Sequence, residues 1–521
     1  MFGYDLYTVI AICVSIAVVL FTALYWYVTR NDNYWKKRGV PFIPRRNILE
    51  LLWLFYKKPF NEVLKLDMGK YGHAVGGFEG STPTFVLSEP DLLRDVLVKD
   101  FHIFHYRRHV DVYDPLTKTL VSVLEGEDWK RVRTIITPAF TSKRMRQMGS
   151  IINDCSKSVI ETCERSFKEG KPVECKSLFG TFTMDVIARA AFGTQIDSHN
   201  DPENAFLKEA KKTFMEPRIF TILIALILPT WILVRLSMFH LDRNHFFQNV
   251  IETVIKERKR TGKKYNDVLQ ILMDAADETE HSLNSELFED ETDRFGSITE
   301  KNESPTLKNK KLSKIELLAQ CVLFFFAGYE TTASALTFLA YELAKNPEWQ
   351  EKLIEEVDKA FEKQTEMSYD AVRDLKVLDA VISETLRMYP TAVITERTAT
   401  EDYELGNTGI VIEKGIRVAV PIYRMHYDPD LFEGPETFNP KRFMDPSESK
   451  HHPYAYLPFG AGPRNCLGMR FALLEIKLCV ANILRHFRFR KDATTQVKYK
   501  MGGLLSVNEL YLAVEKRTDV K

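Results

Sequence analysis

Phe459-Gly-Ala-Gly-Pro-Arg-Asn-Cys466-Leu-Gly468 is a glycine-rich loop that delivers one cysteine just before an apolar stretch, Met469 to Leu484, which predicts a helix. Thiolate is the metal-binding form of cysteine, and the free N–H groups of a helix N-terminus lower the pKa of a nearby thiol. Gly462 and Gly468 would let a large flat ligand approach the backbone, and Arg464 could pair with an acidic group on it. We therefore interpret Cys466 as a cysteine that is built to be an anion, with an ordinary buried cysteine as the alternative.

Composition excludes several classes of protein. The 521 residues include 71 Lys+Arg and 71 Asp+Glu, so the formal net charge is zero and no polybasic character indicates nucleic-acid binding. Seven cysteines run from Cys13 to Cys479 without a C-x-x-C pair, which fits neither a disulfide framework nor a zinc module. The bulk of the chain is therefore expected in a reducing compartment.

The amino-terminal segment is predicted to be a membrane anchor. Tyr7 to Val28 is a run of 22 residues without a charge; as a helix at ~1.5 Å per residue it would be about 33 Å long and would cross the hydrocarbon layer. Only Asp5 is charged before it, whereas basic residues follow it, which predicts a lumenal N-terminus and a cytosolic main domain. The alternative is a cleaved signal peptide, although the apolar core exceeds the usual ~7–15 residues and no basic region precedes it.

The remaining pattern is mainly helical with a minor β part. Strands are predicted at Thr84–Leu87, Gly409–Ile412 and Ile416–Val420. A long helix is expected to begin at the capping box Ser313-Lys-Ile-Glu316 and to end at Lys345, before Asn346-Pro347. The sequence therefore predicts an α+β fold in which residues 1–30 form the anchor and residues 31–521 the functional domain.

Two segments stand apart from this domain. Ile219 to Val234 is apolar but is interrupted by Pro229, and we interpret it as a region dipping into the membrane surface, with a buried core helix as the alternative. Asp274 to Glu303 is dominated by acidic and small polar residues. It is predicted to be a solvated connector without chemistry.

Several motifs together resemble one family. Phe459, Gly462, Arg464, Cys466 and Gly468 match the F-x-x-G-x-R-x-C-x-G haem-binding signature of the cytochrome P-450 superfamily. Its other motifs occur in the expected order: Trp129-Lys-Arg-Val-Arg133, Ala327-Gly-Tyr-Glu-Thr-Thr332, Glu384-Thr-Leu-Arg387 and Phe438-Asn-Pro-Lys-Arg-Phe443. The chain looks most like the microsomal clan of broad-specificity xenobiotic oxidisers. It departs from the pattern at Lys441, where Glu is common, and in lacking P-P-G-P before the domain.

The resemblance implies a cytochrome P-450 fold and a haem b cofactor (iron protoporphyrin IX). The iron would be held by Cys466, whose thiolate favours cleavage of the O–O bond. The haem propionates would be anchored by Trp129, Arg133, Arg397 and Arg464, because guanidinium pairs bidentately with carboxylate. Arg108 is a weaker candidate for the same role, equally well explained as a surface charge. Further haem contacts are expected from Phe459, Gly468 and Ala327.

The resemblance also implies a catalytic pair, Thr331 and Glu330. A hydroxyl backed by an acid can relay protons to dioxygen in the site. The alternative for Thr331 is a hydrogen bond returned to a carbonyl one turn back in the helix.

Glu384 and Arg387 lie on one helix face, and the resemblance implies a buried structural network completed by Arg442. Removing one member should cost about 3–5 kcal/mol of stability and haem incorporation. A large apolar cavity for small lipophilic substrates is predicted from these positions: Phe324, Phe325, Ala327, residues 391–394 and 504–507, Val110 to Ser122, and Phe214 to Phe220.

The predicted activity is a membrane-bound monooxygenase that inserts one atom of O2 into xenobiotics, steroids, fatty acids or terpenoids. The sequence has no G-x-G-x-x-G in a βαβ setting and no flavin module, so an NADPH-dependent flavoprotein reductase is expected as partner, with cytochrome b-five as a further candidate. Membrane lipid is the third expected partner, at the endoplasmic reticulum. A basic cluster is the predicted reductase face, with a merely solvated surface as the alternative: Lys130, Arg131, Lys143, Arg144 and Arg146.

Three other functions stay open at this point. A reductase-independent haem-thiolate isomerase or dehydratase of peroxides would be expected to lack the acid–threonine pair. A non-catalytic haem-binding or lipid-binding protein would need neither residue. A thiol nucleophile at Cys466 is unsupported, because no matching His/Asn motif accompanies it.

Overall fold

A computed structural model describes residues 6–66, 69–108, 114–194, 204–205, 208–209, 245–276, 311–445, 451–500 and 503–519 of the chain. The predicted membrane-surface segment Ile219–Val234 lies outside these residues, as do positions 110–113 and 214–220 of the predicted cavity and residues 277–303 of the connector. Residues 274–276 belong to the end of a helix instead.

The fold is mainly helical with a minor β part, as predicted. The α-helices are α1 Leu6–Thr29, α2 Tyr34–Lys37, α3 Ile48–Lys57, α4 Phe60–Leu64, α5 Pro90–Arg94, α6 Pro115–Lys118, α7 Gly126–Ile136, α8 Ser142–Glu169, α9 Cys175–Phe192, α10 His245–Thr261, α11 Val268–Ala276, α12 Lys314–Lys345, α13 Pro347–Phe361, α14 Tyr369–Arg373, α15 Lys376–Met388, α16 Ile422–His426 and α17 Met469–His486. Short 3-10 turns cover Thr137–Phe140, Pro440–Phe443 and Pro453–Ala455, and a π-turn covers Asp95–Lys99.

Within the described ranges, the strands form four small sheets. They are β1 Ala74–Glu79, β2 Thr82–Leu87, β3 Val173–Glu174, β4 Thr395–Thr398, β5 Tyr403–Glu404, β6 Val411–Ile412, β7 Arg417–Val420, β8 Phe487–Arg490, β9 Tyr499–Lys500, β10 Ser506–Val507 and β11 Tyr511–Lys516. The largest sheet has the order β1-β2-β7-β4, with β2 and β7 parallel and the other pairs antiparallel. The three predicted strand regions all contain strands, in β2, β6 and β7.

Helix α12 begins and ends where the sequence predicts. The Ser313 hydroxyl accepts a hydrogen bond from the Glu316 N–H at 3.2 Å, and the Ser313 N–H donates to the Glu316 carboxylate at 2.8 Å, which completes the capping box. The helix ends at Lys345, because Pro347 cannot continue it. Its apolar residues are mostly buried among α9, α15 and α17, so α12 is the central core helix.

Helix α1 is apolar and lies outside the core. By length and hydropathy, two helices among the described residues could cross a membrane, α1 and α12. Two thirds of the most apolar part of α12 is buried in the protein, whereas none of that part of α1 is. The exposed apolar surface of α1 therefore fits the predicted anchor, and α12 owes its hydropathy to the core.

The predicted network around Glu384 and Arg387 ties α15 to the segment before the cysteine loop. Both side chains are fully buried, and the Arg387 guanidinium donates to the Glu384 carboxylate at 2.8 and 2.9 Å. Arg442 Nε lies 3.4 Å from Glu384 Oε1, and Asn439 N–H donates to the same oxygen at 2.8 Å. Arg387 also donates to the His426 carbonyl at 2.6 Å, which connects α15 to α16.

Candidate active site

The cysteine loop is closed by backbone hydrogen bonds that present the Cys466 thiol. Cys466 N–H donates to the Phe459 carbonyl at 2.9 Å, and Gly460 and Gly462 have φ of +71° and +73°, which favours glycine. A side chain at 462 would place its Cβ 1.9 Å from the Leu97 carbonyl oxygen. Gly462 is therefore required by the packing of the loop on Leu97, which explains the missing side chain without a ligand; its predicted contact with a flat ligand stays a prediction. At Gly468, by contrast, the nearest side-chain atom is 4.0 Å away, on Phe140.

The electrostatics of Cys466 combine opposing effects. Its thiol is accessible to solvent yet surrounded by protein, and desolvation raises its pKa. The Gly468 N–H at the start of α17 and the charges of Arg133 and Arg107 act in the lowering direction. The predicted helix N-terminus effect is thus present, but burial outweighs it, so the prediction of a lowered pKa for the free thiol was wrong. A coordinated metal cation removes this obstacle, since it deprotonates a coordinating thiol.

Two arginines hold the backbone of the cysteine loop. Arg133, on α7, donates from Nη2 to the Asn465 carbonyl at 3.0 Å and to its Oδ1 at 2.9 Å. Arg107 donates from Nη2 to the Arg464 carbonyl at 3.0 Å. Arg107 was missed in the sequence, where its neighbour Arg108 was considered instead. Arg108 is exposed and pairs with Glu79 and Glu396, so it is turned away from the loop.

The predicted residues Arg464, Arg397 and Trp129 lie beside this pair. Arg464 is buried, with its guanidinium 4.3 Å from the centre of the Trp129 ring and Nη2 donating to the Leu124 carbonyl at 2.7 Å. Arg397 is also buried, at the edge strand β4, where Nη1 donates to the Glu396 carbonyl at 2.8 Å. The structure therefore brings Arg464, Trp129, Arg133 and Arg397 together, as predicted, and adds Arg107.

This cluster carries more positive charge than its own carboxylates offset. Desolvation lowers the pKa of Arg464 to about 9 and that of Arg133 to about 10, with further lowering from neighbouring arginines. Desolvation and two arginines, Arg107 and Arg464, push the pKa of Arg397 well below its usual value. The nearest acids, Glu125 and Glu396, only partly oppose these shifts.

Buried guanidinium nitrogens in this cluster have no hydrogen-bond partner among the described residues. They are Nε of Arg107, Nε of Arg397, and Nε and Nη1 of Arg464. Since buried polar groups are normally paired, these donors indicate an anionic ligand with several acceptor oxygens. Together with a cysteine sulfur, the donor set fits a metal-bearing ligand that carries carboxylates, which is the chemistry of iron protoporphyrin. The residues present therefore fit the predicted haem.

One face of α12 forms the opposite wall. Phe324, Ala327 and Thr331 are solvent-accessible although most of the helix is buried, and their i, i+3, i+7 spacing places them on one face. The Phe324 ring contacts Phe140, with centroids 5.7 Å apart, and Phe140 lies beside Gly468. The accessible face of α12 is therefore next to the cysteine loop.

The two residues of the predicted catalytic pair have different environments. Thr331 lies on the accessible face, where its hydroxyl donates to the Ala327 carbonyl at 2.5 Å, which is the local alternative considered for it. Glu330 is 4% exposed, and its Oε1 accepts hydrogen bonds from Lys176 Nζ at 2.9 Å and Ser506 Oγ at 2.7 Å. The Glu330 carboxylate thus contacts α9 and β10 rather than the accessible face.

Two of the predicted substrate-facing segments, residues 391–394 and 504–507, contact each other. Leu505 N–H donates to the Thr391 carbonyl at 2.9 Å, and Ala392 pairs with Leu504, which joins residues 391–394 to residues 504–507. Phe325 does not belong to this set, because its ring is buried and stacks on Phe192 at 4.2 Å. Neighbouring helix positions point about 100° apart, so Phe324 and Phe325 face different surroundings.

Residues 41–513 match the cytochrome P450 family. The chain is 35% identical over 506 residues to cytochrome P450 3A11 of Mus musculus, an alignment that covers 95% of this chain and 94% of the relative. The chain belongs to the cytochrome P450 family. A P450 of Homo sapiens, cytochrome P450 3A5, is 35% identical over 511 residues, covering 95% of this chain and 94% of that protein. Cytochrome P450 3A9 of Rattus norvegicus is 35% identical over 512 residues, with 96% of each chain covered.

Membership confirms the resemblance stated from the motifs, together with the predicted fold class and the assignment as a P450 monooxygenase. A P450 carries a haem-iron cofactor, and the cysteine sulfur and unpaired guanidinium nitrogens described above fit that group. The matched residues 41–513 contain Trp129, Thr331, Arg397 and Cys466.

Proposed function

We propose that this P450 inserts one atom of O2 into lipophilic small molecules, among them xenobiotics, steroids, fatty acids or terpenoids, using two electrons that derive from NADPH. The observation that carries the proposal is the convergence of the Cys466 thiol with buried arginines whose nitrogens lack partners. That arrangement needs an anionic, metal-bearing ligand and has no evident use in a protein that works through its side chains alone. Residues 31–521 are proposed as one catalytic domain and residues 1–30 as its anchor.

Haem b is the proposed cofactor, and when bound it supplies the redox chemistry that activates dioxygen. Cys466 would hold its iron, while Arg464, Arg133, Arg397 and Arg107 would pair with its propionates. Trp129 supports Arg464 through the stacked ring 4.3 Å from the guanidinium. Phe459, Gly468 and Ala327 are proposed to line the flat faces of the group.

Thr331 and Glu330 are proposed to move the protons that the reaction consumes. The Thr331 hydroxyl lies on the accessible face of α12, and its hydrogen bond to the Ala327 carbonyl can be exchanged for one to dioxygen or water. The Glu330 carboxylate is the adjacent acid, held in the buried network behind that face. General acid catalysis of this kind contributes about 10²–10⁴-fold.

Electrons are proposed to arrive from a separate NADPH-dependent flavoprotein reductase, with cytochrome b-five as a second donor. Arg133 of α7 contacts the cysteine loop, so the surface of α7 and of the start of α8 is close to Cys466. Lys143 on this surface is exposed, whereas Arg131 pairs with Glu316 and Arg146 with Asp370. The free charge of the proposed docking face is thus smaller than the sequence suggests.

The proposed location is the endoplasmic reticulum membrane, with the N-terminus lumenal and the catalytic domain cytosolic. The support is the apolar, exposed surface of α1 together with the basic residues that follow it. Contact with membrane lipid would bring the enzyme to the phase in which lipophilic substrates concentrate.

The first test is spectroscopic and uses the full-length protein. A red-shifted Soret band of the reduced carbonyl complex is expected for wild type and should be lost in Cys466→Ser, because oxygen does not replace the thiolate. A matched control is Cys479→Ser, which changes a cysteine buried in α17 away from the loop. Wild-type colour and turnover in Cys466→Ser would overturn the proposal.

The second test separates the remaining functions. Steroids, fatty acids, terpenoids and insecticide-like compounds are screened for shifts of the haem spectrum, and those that bind are assayed with reductase and NADPH. Product that requires both supports the proposal. Turnover of peroxides without NADPH or reductase would indicate an isomerase or dehydratase, and haem binding without NADPH consumption across the screen would indicate a carrier or sensor.

A further inference from the structure

A buried polar network lies behind the accessible face of α12. Lys176 Nζ donates to Glu330 Oε1 at 2.9 Å and to the Ser334 hydroxyl at 2.9 Å. The Ser334 hydroxyl donates to the Ser506 hydroxyl at 3.0 Å, and Ser506 donates to Glu330 Oε1 at 2.7 Å. The four groups therefore close a ring of hydrogen bonds that joins α9, α12 and β10.

Lys176 has the properties of a proton donor inside this ring. Only 13% of its side chain is exposed, and desolvation lowers its pKa, which makes the ammonium a readier acid than a surface lysine. Glu330 and Glu174 oppose the lowering, whereas the positive charge of Lys500 adds to it. The Tyr329 phenol, which also lies near Glu330, has a pKa raised by burial, so it stays neutral.

The placement of Glu330 makes such a donor necessary. Glu330 is 4% exposed, so a carboxylic acid that gives up its proton there has little direct access to water. Lys176 is the partly exposed member of the ring, with 13% of its side chain accessible, whereas Ser334 and Ser506 are buried. Among the four groups, Lys176 is therefore the best placed to take up a proton from solvent.

We propose that Lys176 gives Glu330 the proton for each proton delivery, starting from the resting ammonium–carboxylate pair, with Ser334 and Ser506 as positioning residues; this rests on the proton-transfer role proposed for Glu330. In this step the Nζ–H bond of the ammonium breaks and an Oε1–H bond forms on Glu330. The nitrogen keeps the electron pair as a neutral amine. Solvent water then supplies a proton to the amine and restores the ammonium, so atoms and charge balance over one cycle.

Two substitutions at one position separate proton supply from charge. Lys176→Arg keeps a cation beside Glu330, but guanidinium does not release protons at neutral pH, whereas Lys176→Met removes both the charge and the proton. We expect product formed per NADPH to fall about tenfold or more in both variants, with the lost electrons appearing as hydrogen peroxide and with a larger solvent isotope effect. Wild-type yield and isotope effect in Lys176→Arg would overturn the proposal, because a fixed positive charge would then suffice.

The pH profile gives a further readout that a structural role would not move. Wild-type product yield should fall at high pH as Lys176 loses its proton, and this limb should be missing in Lys176→Arg. A high-pH limb of equal size and position in both proteins contradicts the proposal. The reduced carbonyl spectrum of each variant must match wild type, and Lys171→Arg, an exposed lysine five positions earlier, serves as the matched control.

A measurement without turnover keeps the two proposals distinguishable. In the resting protein, infrared difference spectra with Glu330→Gln identify the carboxyl band of Glu330. The band of the protonated acid should appear in Lys176→Met, which lacks the ammonium, and should be absent in wild type and Lys176→Arg. If the band of the protonated acid is absent from Lys176→Met as well, the contact between Lys176 and Glu330 is refuted. A wild-type protein that makes no NADPH-dependent product contradicts the proposed function alone.

Discussion

Arg107 and Arg108 are neighbours in the sequence with opposite surroundings. Backbone hydrogen bonding of Tyr106 to Thr398 holds the segment extended, so successive side chains point to opposite sides. Arg107 consequently faces the cysteine loop, and Arg108 faces Glu79 and Glu396. Two adjacent arginines carry no sequence signal for which of them turns inward, because that depends on the pairing with β4.

The pair provides a matched test of cofactor retention. Arg107→Gln should release haem about 10- to 100-fold faster than wild type, because a charge-assisted hydrogen bond contributes about 1.5–3 kcal/mol. Arg108→Gln should release haem at the wild-type rate. Transfer of haem to an apoprotein acceptor measures both rates, and equal release by the two variants would show that Arg107 does not contact the group.

The buried imidazole of His426 makes the free energy of unfolding depend on pH. Its Nε2 accepts from the Leu457 N–H at 3.0 Å and its Nδ1 lies 2.9 Å from the Arg387 carbonyl, so the folded protein holds the neutral ring with a proton on Nδ1. Burial lowers its pKa to about 3, against a usual value of 6.5. As the pH falls, the His426 ring therefore becomes charged in the unfolded chain before it does so in the folded protein. The stability that the neutral ring contributes is fully present above pH 6.5 and is lost as the pH falls towards 3.

Between pH 6.5 and 5 this residue alone should remove about 2 kcal/mol of stability, at about 1.36 kcal/mol per pKa unit. His426→Gln, which does not titrate, should be less stable at pH 7 but should lose correspondingly less over the same range. Urea unfolding of both proteins at several pH values measures the difference. Parallel pH dependences would contradict the neutral, buried state of His426.

At the level of elements, the contact of α12 with α9 depends on a glycine. A Cβ on Gly328 would lie 2.0 Å from Ile187 Cδ1, so any side chain there must displace α9 or the isoleucine. Gly328→Ala should cost about 1–3 kcal/mol of stability, the range for overpacked cores. Adding Ile187→Val removes the clashing methyl group and should recover part of the loss, as measured by urea unfolding; no recovery would mean that the backbone, rather than Ile187, limits the space.

The bounds of α12 and the position of the cysteine loop could be predicted from the sequence, whereas side-chain contacts between elements could not. The capping box at Ser313 and the proline at 347 act within a few residues, so the bounds of α12 could be predicted from local pattern. The cysteine loop could be predicted because its glycines and cysteine lie within ten residues. The partner of Glu330 could not, since Lys176 lies on another helix, and its contact depends on how α9 packs on α12.

At the level of the whole molecule, helix α1 contributes little to the packing of the rest of the chain. The most apolar part of α1 buries no surface in the protein, so the core loses no apolar contact there when α1 is absent. Deleting residues 6–29 should leave the carbonyl spectrum and the melting temperature unchanged while reducing sedimentation with membranes. A fall of several degrees in the melting temperature would show that α1 stabilises the catalytic domain after all.

The four arginines around the cysteine loop come from positions 107, 133, 397 and 464 of one continuous chain. During synthesis Arg464 and Cys466 are added after the other three arginines. A growing polypeptide therefore has no complete haem site until residue 466 has been added. Haem loading must follow that step, and until then mutual repulsion among these cations works against bringing their four segments together.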